Sequence, residues 1–222
     1  MNDEIKKKNE LWDRYYTTYS PTLVGRIMYD SQRDVLKKVM SDIPRTVKLI
    51  DIGCGKGSTL TSFRDWGFKD SIGIDLSEAG LHECEKTGFK IGLDVFLVDG
   101  TDTHYPSKSF DIVFSEGTLE HYKDFTPFIR EWCRLSRDKV IIVQPNHFCL
   151  YSQIIQVLWG LFRQNSGGVK ELTYRLEDFY KVFDQYGFDW VSTSFTLLKE
   201  NAVIVFERRN KIRDAKDEDD PH

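Results

Sequence analysis

Two patterns of apolar residues alternate along the chain. Continuous apolar runs at 49–52, 71–75, 95–99, 110–115 and 139–144 are short and rich in Ile and Val, so each reads as a strand buried on both faces. Between them, segments 58–66, 77–86 and 122–137 follow a helical period. In the last of these Phe125, Phe128, Ile129, Trp132 and Leu135 recur three and four apart, the spacing of a core-facing helix. Gly67 stops the first helix and Ser77 is placed to cap the second. An earlier helix over 31–40 presents Val35, Leu36 and Val39 on one face, and Pro44 closes it. Strands alternating with helices at this spacing require parallel strands and crossover connections. After a further helix over 177–186, two β-rich runs, 190–198 and 201–208, are separated only by Lys199 and Glu200. So short a link permits an antiparallel hairpin but no parallel crossover. The expected fold is α/β: a doubly wound, seven-stranded, mostly parallel sheet with a C-terminal antiparallel hairpin.

Three stretches fall outside that alternation. Residues 1–20 are charged and then aromatic, with Trp12, Tyr15, Tyr16 and Tyr19 at helical spacing. They read either as a helix packed on the sheet or as a flap over a ligand, and with the 31–40 helix they form an N-terminal cap over about 1–42. Residues 145–175, with the apolar stretch 151–162, are longer than a simple connection and follow the fifth strand at its ligand-binding edge. A lid or acceptor wall, a side-packed helix and a membrane-surface helix are all open readings of that insertion. The tail 210–222 is charged and is expected to be solvated. The rest, 1–209, is expected to be one domain.

Composition narrows the partners. At 222 residues and 40% hydrophobic content the chain suits one well-buried core. A formal net charge of −4 gives no global basic bias, so no nucleic-acid partner is expected. No apolar run approaches the roughly 20 residues that span a bilayer, and the first ten residues are not a basic-then-apolar signal. A cytoplasmic monomer or homodimer is expected. Cys54, Cys84, Cys133 and Cys149 lack the paired short spacings of a zinc site or redox dithiol, and read as reduced, buried side chains without a metal.

The chemistry gathers where the first strand meets Asp51-Ile-Gly53-Cys54-Gly55-Lys-Gly57. Glycines there let the backbone turn tightly and approach a ligand. A dinucleotide turn has the form Gly-x-Gly-x-x-Gly and receives a pyrophosphate. Here the third glycine comes one residue early, and the acid Asp51 precedes the first. A carboxylate at the turn suits a cation better than a phosphate. Two more acids close the next strands: Asp75, followed by Leu76, and Asp99, followed by Gly100 and Thr101.

This ordered set resembles the class I S-adenosylmethionine-dependent methyltransferases, over roughly residues 12–208. The Asp51–Gly57 turn is similar to the glycine-rich first motif, which implies that Gly53, Cys54, Gly55 and Gly57 approach the methionine part of S-adenosyl-L-methionine. The resemblance implies that Asp75 with Leu76 holds the ribose, and that Asp99, Gly100 and Thr101 meet the adenine. Phe110–His121 resembles the fourth motif, with Ser115 and Glu116 beside the methionine moiety. Tyr16 and Arg26 are similar in placement to residues that close over the cofactor or pair with its carboxylate. The implied activity is methyl transfer to a small-molecule or lipid-like acceptor, leaving S-adenosyl-L-homocysteine.

The acceptor side is less marked. Residues 115–118 read Ser-Glu-Gly-Thr where enzymes that methylate exocyclic or amide nitrogens carry Asn/Asp-Pro-Pro-aromatic, which disfavours that subclass. Methyl transfer needs positioning, desolvation and, for some acceptors, a base. His121 and His147, after the fourth and fifth strands, and Glu116 are the candidates for that base, each with a structural role as the alternative. A non-catalytic cofactor-binding protein and a nicotinamide-dependent dehydrogenase are the competing functions for this fold.

Overall fold

The computed structural model describes residues 10, 12–13, 23–146, 149, 172 and 174–209. Their elements run α1 (Leu23–Val39), β1 (Leu49–Ile52), α2 (Ser58–Asp65), β2 (Ser71–Asp75), α3 (Glu78–Glu85), β3 (Val95–Leu97), β4 (Phe110–Glu116), a 3₁₀ turn (Leu119–His121), α4 (Thr126–Leu135), β5 (Ser136–Pro145), α5 (Leu176–Gln185), β6 (Phe188–Phe195), a second 3₁₀ turn (Leu197–Lys199) and β7 (Asn201–Arg208). The seven strands form one sheet in the order β3-β2-β1-β4-β5-β7-β6. Strands β1 to β5 pair in parallel, while β7 is antiparallel to both β5 and β6. The doubly wound sheet and its terminal antiparallel hairpin are as expected from the alternation of periods.

Both sheet faces are covered. On one, Ile50, Ile52, Val113, Val140, Ile142, Ile204 and Phe206 pack with Phe128, Ile129 and Trp132 of α4 and with Phe179 and Phe183 of α5. On the other, Leu49, Ile112, Phe114, Ile141 and Val203 meet Leu36 of α1, Met40 just after it, and Phe63 of α2. Alternate residues of each strand thus serve opposite faces, which is why the strands read as unbroken apolar runs. A smaller cluster of Cys54, Leu60, Leu81, Cys84, Phe89 and Val95 fills the space under α2 and α3. All four cysteines are buried.

Boundaries differ from expectation at informative places. Helix α1 begins at Leu23 rather than 31; its first two turns expose Leu23, Ile27 and Tyr29, so no buried face marks them. Strand β3 ends at Leu97, which leaves Asp99 in the following turn. The expected 122–137 helix is shorter at both ends: α4 runs Thr126–Leu135 with Pro127 in its first turn, and a separate 3₁₀ turn, Leu119–His121, precedes it. Strand β5 then starts at Ser136 without a linker. Strand β6 ends at Phe195, before the second 3₁₀ turn. The Trp12, Tyr15, Tyr16, Tyr19 stripe is described only at Trp12. The 145–175 insertion lies mostly outside the described residues, as does the 210–222 tail.

One buried carboxylate braces the approach to α4. Glu131 Oε1 accepts from Thr103 N–H at 2.9 Å and Thr103 Oγ1 at 2.6 Å, and Arg134 grips both Glu131 oxygens at 2.7 Å. Burial alone would raise its pKa, but the bonds from Arg134 and Thr103 outweigh burial and lower it to about 2. A depressed carboxylate stabilises the fold above its unfolded pKa, and that stabilisation fades as pH falls toward 2. Glu131→Gln is therefore expected to cost about 1–3 kcal/mol at pH 7. The deficit should shrink steadily below pH 4, measured by urea unfolding across that range.

Candidate active site

The strand order reverses between β1 and β4, and a crevice forms beyond the carboxyl ends of strands at such a switch point. A cleft lies there, lined by Trp12, Ile52, Gly53, Ile74, Asp75, Leu76, Val98, Gly100, Gly117, Thr118, Tyr122 and Phe128. Gly53 has φ +79, and a Cβ there would lie 2.5 Å from Thr118 Oγ1, so β1 and the β4 turn approach this closely only because position 53 is glycine.

Asp75 closes β2 and joins two turns. Its Oδ2 accepts from Gly55 N–H and its Oδ1 from Ser77 N–H, both at 2.7 Å. Burial raises its pKa, and the backbone donors of Ser77, Gly55 and Leu76 pull it back down. A carboxylate oxygen has two lone-pair directions, so each retains capacity for a ligand hydroxyl. Asp99 is arranged alike: its Oδ1 holds Thr101 N–H at 2.8 Å and Thr101 Oγ1 at 2.7 Å.

Asp51 is more costly to maintain. It is 1% exposed, and its Oδ2 is buried without a hydrogen-bond partner among the described residues. Burial raises its pKa well above the ordinary range, the Glu116 charge adds to this, Arg33 opposes it, and Asp75 adds again. Arg33, from α1, is its counterweight. The Arg33 guanidinium pairs with Glu116 Oε2 and donates to Thr59 Oγ1 at 2.7 Å, yet its Nε is also buried and unpartnered among the described residues. A leftover buried acceptor and a leftover buried donor in one electrostatic cluster are complementary to an α-amino-acid zwitterion. Three acids against one arginine leave the cluster net negative, as a sulfonium requires. The donor set therefore fits S-adenosylmethionine.

Other residues expected at the site are placed differently. Glu116 is held by Gln32 and Arg33 of α1 and by Thr59 Oγ1 at 2.6 Å. With both oxygens engaged it acts as a hub fixing α1 and α2 to β4, and it is not poised as a base. Ser115 Oγ donates to the Ile52 carbonyl at 2.8 Å, bracing β1 against β4. The Cys54 side chain packs into the small cluster, where a Cβ at Gly73 would lie 2.7 Å from its Sγ, and burial drives its pKa well up. Its thiol is a packing group. Gly57 presses on that cluster too, since a Cβ there would meet Cys84 Sγ at 2.3 Å. Arg26 is exposed on the first turn of α1 and does not line the cleft; the arginine that α1 sends inward is Arg33. Tyr16 and His147 lie outside the described residues.

His121 ends the 3₁₀ turn after β4, its Nε2 3.9 Å from Glu120 Oε1 and its ring edge-on to Trp12 at 4.7 Å between centroids. Tyr122, absent from the expected set, lines the cleft against Phe128. Burial, with the charges of Asp99 and Asp75, pushes its hydroxyl up to about 12. No spacing or motif marks Tyr122 or Arg33 in the sequence.

The geometry defines an α/β domain with a cleft at its switch point, and the donor set around it fits a nucleoside-bearing, cationic ligand. Residues 50–143 match the family model of a methyltransferase domain. The chain is similar to ajmaline N-methyltransferase of Rauvolfia serpentina, 30% identical over 105 residues, or 45% of this chain and 35% of that one. It is also similar to phosphoethanolamine N-methyltransferase 3 of Arabidopsis thaliana, 28% identical over 132 residues, or 59% of this chain and 26% of that one. The chain thus matches about a third or less of the length of these relatives. The fold is shared with magnesium protoporphyrin IX methyltransferase from Synechocystis PCC 6803 with bound SAH, at a TM-score of 0.66 and 19% identity over 90% of this chain and 93% of that one. These likenesses support a class I S-adenosylmethionine-dependent methyltransferase domain around residues 50–143.

The stranded charge on Asp51 makes a prediction with a definite sign. A carboxyl whose folded pKa is raised favours folding below its unfolded pKa and loses that contribution as pH rises through the folded value. Asp51→Asn is therefore expected to stabilise the ligand-free protein at pH 7 by about 0.5–2 kcal/mol, as relief of a strained functional site commonly does. The gain should vanish near pH 4, and affinity for S-adenosylmethionine should drop about tenfold or more for the loss of a charged partner. Denaturant melts at the two pH values and calorimetry check both halves.

Proposed function

We propose that this protein transfers a methyl group from S-adenosylmethionine to a small-molecule or lipid-like acceptor. The observation that supports the reading is the cleft at the carboxyl ends of β1, β2 and β4, lined by Asp75, with Asp51 in β1 and Asp99 in the turn after β3. The bound cofactor supplies an electrophilic methyl on a sulfonium. The residues of the chain bind and orient it. Asp75, held by Gly55 and Ser77, takes the ribose hydroxyls. Asp99, Gly100 and Thr101 meet the adenine, which Val98, Tyr122 and Phe128 enclose with apolar surface. Asp51 takes the ammonium and Arg33 the carboxylate of the amino-acid end.

On the acceptor side His121 is the base this reading favours. It stands at the mouth of β4 with Glu120 beside its Nε2, and a carboxylate there steadies the imidazolium that forms on taking a proton. The relatives named above act on ajmaline and phosphoethanolamine by their names, which supports a small acceptor. The acidic cleft also favours acceptors that are neutral or cationic over anionic ones.

Two measurements test the proposal. Asp75→Ala is expected to weaken S-adenosylmethionine binding by about 1.5–3 kcal/mol, the scale of hydrogen bonds to a charged group, without unfolding the protein; unchanged affinity would contradict the ribose role. Incubation with methyl-labelled S-adenosylmethionine and a fractionated small-molecule extract is expected to label a low-mass product. Tight cofactor binding with no labelled product would instead favour a non-catalytic binding protein.

A further inference from the structure

Two consecutive residues of the N-terminal segment meet opposite sides of the cleft. Trp12 lines it and rests edge-on against His121, in the turn after β4. Asp13 reaches the turn after β2, where its Oδ1 accepts from Ser77 Oγ at 2.6 Å and from Ala79 N–H at 3.1 Å. Ser77 is shared. Its Oγ caps α3 by accepting Gly80 N–H at 2.9 Å, and its own N–H binds Asp75 Oδ1 at 2.7 Å. One serine thus connects the cleft carboxylate to the N-terminal segment.

We infer that Asp13 is a latch, a positioning residue that holds Trp12 across the cleft and sets how long a ligand seated on Asp75 remains bound. The inference rests on the cofactor reading above. A carboxylate at the first turn of a helix is favoured by the orphan amides there, and its bonds are charge-assisted. Asp13 makes none of the bonds that define the Asp75 site, because Gly55 and Ser77 supply those from the backbone. Its removal should leave the seat intact and loosen only the cover. Asp13 also disfavours the ionised form of Asp75 across the turn, and ribose hydroxyls that donate to Asp75 offset that repulsion. Cofactor capture and closure are coupled through Ser77, and release requires the Asp13 bonds to open first.

The experiment is a chase of radiolabelled S-adenosylmethionine from the full chain, comparing wild type, Asp13→Ala and Asp13→Asn. Asp13→Ala is expected to raise the dissociation rate about tenfold or more, as loss of a charge-assisted bond implies, while association changes much less. Asp13→Asn, whose side-chain oxygen still accepts from Ser77 and Ala79, should recover most of the slow release; a role in general stability alone would move the melting temperature without this rescue. Should Asp13→Ala fail to fold, the wild type and Asp13→Asn still decide the matter through exchange of the Ala79 amide, which the latch requires to be protected in both. Equal dissociation rates in wild type and Asp13→Ala, Asp13→Asn as fast as Asp13→Ala, or an unprotected Ala79 amide would overturn the latch alone. Failure of the wild type to bind S-adenosylmethionine would overturn the cofactor reading and the latch with it.

Discussion

The Asp75 carboxylate, gripping Gly55 N–H with one oxygen and Ser77 N–H with the other, is the contact on which the cleft depends. It ties the turn after β1 to the turn after β2, two loops that parallel strands alone would leave independent. Gly55 and Gly57 have φ of +51 and +75, a region that other residues enter at a cost of about 1–2 kcal/mol, so glycine lets the first turn present its amides to the acid. The acid is thereby oriented before any ligand arrives, and a preorganised acceptor loses little freedom on binding. Ser77 then passes this order on to the N-terminus of α3 and to Asp13.

Electrostatic cost is concentrated around that contact. Asp51 sits in the core with an oxygen that has no partner among the described residues, and the Glu116 charge is balanced by Arg33 of α1 while Gln32 donates a hydrogen bond to it. Glu116 is the reason α1 belongs to the site: Gln32 continues the chain of bonds to Asn201 at the start of β7, at 2.9 Å. Such a cluster lowers the stability of the empty protein and returns the energy when a matching charge enters. The same arrangement explains why Glu116 is unsuited to proton transfer. Its charge is committed to holding two helices and a strand in register.

Much of this was legible in the sequence, for a physical reason. Strands buried on both faces are continuous apolar runs, and the acids that end them stand out against that background, as Asp51, Asp75 and Asp99 do. The hairpin was legible from the shortness of its link alone. Interactions distant along the chain were not. Arg33 and Glu116 are 83 positions apart, and nothing near Arg33 distinguishes it from Arg26, a residue with the same charge two turns earlier on the same helix. Cys54 was drawn toward the ligand by its place among glycines, but β2 lies directly beneath it and Gly73 leaves room for its sulfur there. The first two turns of α1 escaped notice because exposed Leu23 and Ile27 imitate no buried face.

The sheet is least regular at the tip of its terminal hairpin. Leu198 and Lys199, at the tip between β6 and β7, both adopt left-handed φ of 57 and 58 without being glycine. A strain of about 1–2 kcal/mol per residue persists only where neighbouring bonds impose it. Here Asn146, just past β5, binds the Lys199 carbonyl through Nδ2 at 3.0 Å and the Glu200 carbonyl through its N–H at 2.6 Å, while Leu197 N–H is held by Ser31 Oγ of α1 at 2.8 Å. Further along the chain, Leu172 N–H binds the Glu120 carbonyl at 2.7 Å, next to His121. Residues 146 and 172 are therefore both pinned, one to a strained hairpin tip and one to the turn that carries His121, the base the proposal favours.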